Sequence, residues 1–125
     1  MTRDRQLVPP GWPPEVLPPQ APDWERSAVG WLFDLCPADY RAHEVLRRHP
    51  VVLARFAAGH VGSAVEAARH GIRTVRAELA GVVLPEVVDA AIAAYEREGR
   101  RLLVVSRQIA LVDAALRGER HVPRL

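Results

Sequence analysis

From Pro50 to about Ala80, apolar residues recur at Val51, Ala54, Ala58, Val61, Val65, Ala68, Ile72, Val75 and Leu79, in steps of three and four without a slip. A second series, Val88, Ala91, Tyr95, Glu98, Leu102, Val105, Ile109, Val112 and Leu116, repeats the pattern with one charged member. This spacing keeps a stripe on one side of an α-helix, and a strict period of 3.5 over four heptads predicts coiled-coil-like packing. Gly81 stops the first helix, Pro85 opens the second, and Gly118 caps its end. So short a link forces the two helices antiparallel. The fold class that follows is all-α: a long antiparallel helical hairpin over about 50–80 and 85–117, each arm about 46 Å long at 1.5 Å per residue.

Two segments precede the hairpin. Seven of the 11 prolines fall in the first 22 residues, which removes backbone donors and predicts an extended Pro-rich arm over 1–22 rather than a helix or central strand. Trp12, Val16 and Leu17 are interleaved with those prolines. That much apolar surface argues for an arm lying against the helices, although such arms also serve as linkers or as ligands for aromatic grooves. Asp23 is placed to cap a short helix over about 24–36, with Glu25 in its first turn. Trp24, Ala28, Trp31 and Leu35, widened by Leu32, Phe33 and Cys36, give this helix an apolar face that reads as core. Pro37 breaks it, and a turn with one short helix around His43 to Arg48 leads to Pro50. The short link places the 24–36 helix on the open end of the hairpin, where Leu53, Phe56, Leu103, Val104 and Leu111 are large enough to receive Trp24, Trp31 and Leu32. The predicted organisation is an arm, 1–22, and a single helical domain, 23–125.

With 125 residues there is room for one modest core. An apolar fraction of 49% against 26% charged fits a folded chain. No apolar run approaches the roughly 20 residues that span a bilayer, and MTRDRQLVPPGWPP lacks the apolar core of a signal peptide. The expected location is cytoplasmic. One cysteine, Cys36, excludes an internal disulfide. All 17 basic residues are arginine, a bias associated with GC-rich coding.

Candidate chemistry is sparse. Glu66 and His70 share a helix face, but helical di-metal sites need matching Glu-x-x-His pairs and the second long helix has no histidine. Cys36, His43 and His49 lack zinc spacing and a fourth ligand. No Gly-rich phosphate loop or nucleophile elbow occurs. The chain therefore reads as non-enzymatic, with no cofactor and no metal. His60 sits in FAAGHVG, where Gly59 and Gly62 each cost a helix about 1 kcal/mol relative to Ala. Close helix contact is the plainer account of those glycines; a ligand-responsive pocket near Trp31 and His60 is the sharper one.

Two surfaces remain. Towards the turn the hairpin flank is small, with Ala67, Gly71, Ala90 and Ala94 as candidate contacts for a second chain, so a homodimer is expected. Arg69, Arg73 and Arg76, with Arg100 and Arg101 on the second helix, form a basic stripe that a nucleic acid would favour. Interspersed carboxylates argue instead for ion pairing within the chain. Glu98, the charged seam member, stands roughly opposite Arg69, and a buried Arg69–Glu98 pair is expected to fix the register, unless Gly99 lets the seam drift and leaves Glu98 in water.

At WERSAVGWLFDLCPADYR, HEVLRRHPVVLAR and the terminal HVPRL, the chain resembles a family of short helical proteins from actinobacteria. The resemblance implies no activity and no catalytic residues. The leading expectation is a non-enzymatic helical interaction or scaffold protein, or a regulatory one. A nucleic-acid-associated helper stands second and a small-molecule-responsive regulator third.

Overall fold

A computed structural model describes residues 8–118. Residues 1–7 of the arm and the terminal HVPRL lie outside that range. The chain is all-α and built on the antiparallel hairpin. Helix α1 is Trp24–Asp34; a 3-10 helix, Ala38–Ala42, and the short α2, Glu44–Arg48, lead to α3, Pro50–Glu78, and α4, Pro85–Leu116. Both prolines occupy the first helical position, where the missing N–H has no intrahelical partner to lose. Gly118 at φ 88° takes the left-handed conformation that ends α4 cheaply, and Gly81 at φ 77° takes it at the third position of the Leu79–Val82 turn that follows α3.

The described residues fall into two compact units, one up to His60 together with those from Arg107 on, the other Val61–Ser106. In the first, α1 shares a core with the start of α3 and the end of α4. Leu32, Leu46, Leu53, Ile109 and Val112 are wholly buried there, each contributing about 1.5–3 kcal/mol relative to exposure. Helix α1 starts differently from its expected cap. Asp23 has φ 63° and no side-chain hydrogen bond to the helix, a backbone conformation that a short polar residue tolerates. The Ser27 N–H donates to the Asp23 carbonyl instead.

The arm lies against this unit. Pro13 and Val16 are buried, Trp12 packs at a tilt on Trp24 with centroids 6.2 Å apart, and the Trp31 indole N–H donates to Glu15 at 3.0 Å. Ser27 ties the two segments. Its hydroxyl accepts from the Leu17 N–H at 3.0 Å and donates to the Trp24 carbonyl at 2.8 Å. Of the residues expected to be covered at the open end, Leu53 is buried but Phe56, Leu103 and Val104 remain partly exposed.

In the second unit Val61, Val65, Ala68 and Val75 of α3 face Val88 and Leu102 of α4. These seam positions hold, but Tyr95 is partly exposed, Ala57 and not Ala58 is the buried residue of that pair on α3, and one more position is corrected. Gly99, half-buried, occupies the inward position and Glu98 is exposed. An α-helix turns every 3.6 residues, so a 3.5 pattern drifts, and the contact migrates from position 98 to 99 unless the helix underwinds. A β-carbon at Gly99 would lie 3.9 Å from that of Ala68, an ordinary contact.

Candidate interaction surface

The connection between α3 and α4 is apolar from end to end. Leu79, Ala80, Gly81, Val82, Val83 and Leu84 contain no polar side chain, although turns on a surface are usually polar. Part of the backbone of this turn is bonded within it. Val82 and Val83 donate to the Leu79 carbonyl at 3.0 and 3.3 Å, a single bridge joins Ala80 and Val83, and Val87 donates to Leu84 at 2.9 Å. The side chains are aliphatic, and Val82, Leu84 and Val87 project 71%, 66% and 48% exposed. They border an open cleft of about 780 Å³ flanked by Arg76. This turn is what sequence reasoning missed, and GVVLP between two helix signals was the mark of it.

The expected small-residue flank is only partly a surface. Ala67, Ala90 and Ala94 are exposed. Gly71 is not: it is buried, and the Tyr95 ring fills the space its β-carbon would take. Its missing side chain seats an aromatic ring within the hairpin and is not free for a second chain.

The arginine stripe is largely neutralised. Arg69 pairs with Glu66 at 2.6 Å, Arg76 with Asp89 at 2.8 Å across the hairpin, and Arg101 with Glu98 one turn away. Arg73 and Arg100 are exposed. The buried Arg69–Glu98 pair is thereby corrected. Each member finds an i,i+3 partner on its own helix, both sit in solvent, and the seam shift to Gly99 removes Glu98 from the contact. The hydrogen bond from Arg101, with its charge, holds the Glu98 carboxyl below the usual carboxylate range and raises the Arg101 guanidinium.

Trp31 and His60 engage different groups. Trp31 is held by Glu15 of the arm, whereas the His60 ring meets Tyr40 edge-on at 6.2 Å. Tyr40 also meets Phe56 at 5.9 Å and His43 at 6.4 Å, so one ring from the 3-10 helix joins α3 to the residue that precedes α2. Gly59 and Gly62, beside His60, are exposed with open space where a β-carbon would go. Close helix contact therefore does not account for them.

Chemistry that would need buried polar groups finds few here. Among the described residues no polar or charged side chain is buried, and no group of three or more His, Cys, Asp or Glu is arranged to hold a metal ion. Cys36 is buried; desolvation raises its thiol pKa, and the charge of Arg41 offsets part of the rise. Among those residues no helix is long and apolar enough to cross a membrane. No family model, curated protein or solved structure matches the chain.

Proposed function

We propose that this chain is a non-enzymatic helical interaction protein that self-associates through the exposed side of its hairpin. The observation that carries the reading is the aliphatic turn, where Val82, Leu84 and Val87 stand in solvent on a backbone held by bonds from Val82 and Val83 to Leu79 and from Val87 to Leu84. Burying such side chains against another protein is favourable by about 25 cal/mol per Å² of apolar surface, and the ordered turn has little left to lose in conformational entropy. The exposed Ala67, Ala90 and Ala94 extend this surface along both helices. Nucleic acid is less well served, because Arg69, Arg76 and Arg101 each already hold a carboxylate.

Sedimentation velocity over a wide concentration range tests the proposal. A dimer that dissociates on dilution, and is weakened by Val82→Ser with Leu84→Ser at unchanged helix content, supports it. A monomer at every concentration overturns self-association.

A further inference from the structure

The outer face of α4 carries charges that mirror one another. Glu86, Ala90, Ala93, Ala94 and Arg97 follow helical spacing on the side away from Val88 and Leu102, and all are exposed, with Val87 at their edge. Among the described residues neither Glu86 nor Arg97 has an ion-pair partner in its own chain. An acid at one end, a base at the other and alanines between them make a face complementary to its own reverse.

We infer that a second copy lies antiparallel along this face, with a two-fold axis passing between Ala91 and Ile92. Glu86 of each copy then meets Arg97 of the other, forming two identical ion pairs, as a two-fold contact requires. Ala90 faces Ala93, and these short side chains let the two backbones approach closely. No like charges oppose within this span, because Asp89 faces Ala94 and Glu96 faces Val87. A parallel arrangement would place Glu86 on Glu86 and Arg97 on Arg97, so charge selects the antiparallel one. Beyond the ion pairs, the second copy's α4 runs on past Pro85 towards the exposed turn, where the aliphatic stem of Arg101 covers part of it. The face offers far fewer residues than the roughly 20–30 a side of a standard interface, so the dimer is weak and dependent on concentration.

This inference rests on the self-association proposed above and adds its register. The test uses Glu86→Arg and Arg97→Glu, single variants made in the full chain and checked for unchanged helix content. Each alone turns two attractive pairs into two repulsive ones and is expected to raise the dimer Kd about tenfold or more. Mixed in equal amounts, the two variants regain both pairs and associate again as a heterodimer. A wild-type dimer whose Kd neither variant changes overturns the register while self-association stands. A wild-type monomer throughout overturns both.

Discussion

The Tyr95 ring of α4 occupies the space that a β-carbon would fill at Gly71 of α3. This ring-on-glycine contact fixes the register between the two helices in the Val61–Ser106 unit without any charge, since a residue with a side chain at 71 must displace the ring. Gly71→Ala is expected to destabilise the protein by about 1–3 kcal/mol, the usual cost of overpacking, and combining it with Tyr95→Leu should recover part of the loss. Gly59→Ala and Gly62→Ala should act in the opposite sense, each stabilising by about 0.5–1 kcal/mol, because open space awaits the new methyl group and helix propensity improves. Chemical denaturation of the four variants checks the contrast; equal effects at 59, 62 and 71 would refute it.

Glu98 and Arg69 make the complementary case. Both belong to exposed i,i+3 pairs, and pairs of that kind contribute about 0.2–1 kcal/mol. Arg69→Met and Glu98→Leu should each change stability by no more than about 0.5 kcal/mol, and their effects should add. A loss of several kcal/mol from either one, rescued in the double variant, would restore the buried pair.

The arm should be separable from the hairpin by two substitutions of different severity. Ser27→Ala removes one acceptor and one donor that join Leu17 to α1, at a cost of about 1 kcal/mol. Val16→Asp places a carboxylate where the side chain is buried, at about 2–4 kcal/mol. Faster amide exchange at Leu17 in both variants, with α4 amides unchanged, is the expected outcome. Uniform acceleration along the chain would mean that the arm does not open separately.

Burial of Cys36 predicts a loss of stability at alkaline pH. Its folded pKa is raised by burial, so its contribution is fully present below the unfolded thiol pKa of about 8.5 and is lost as pH rises through the higher folded value. A pH series of denaturation curves should fall above that range in the wild type and flatten there in Cys36→Ala. Thiol modification near neutral pH should be slow in the native protein and fast in urea.

The hairpin was legible because its signals are local and repeated. Pro50, Gly81, Pro85 and Gly118 mark helix ends through backbone constraints that no packing can relax. Which residue of a neighbouring pair faces inward was not legible, since Glu98 and Gly99 differ by one step of 100° and the winding of a helix emerges only once its partner is in place. The same holds for Gly71, whose role depends on a ring 24 residues away in sequence. At the surface, alanine spacing pointed to Ala67, Ala90 and Ala94, which are exposed, but the aliphatic turn escaped notice because apolar residues between helices read as hairpin core until the turn's own hydrogen bonds are seen.

Trp12, Trp24 and Trp31 all belong to the unit that contains α1, while Tyr95 is the lone aromatic residue of Val61–Ser106. Indole emission, excited beyond the tyrosine band, therefore watches one unit alone, whereas far-ultraviolet ellipticity sums over both. The protein thus carries its own optical label. If the two signals are lost together on heating, the long helices couple the units into one cooperative transition; if the indoles report first or last, the difference between the curves measures how much of each helix unfolds by itself.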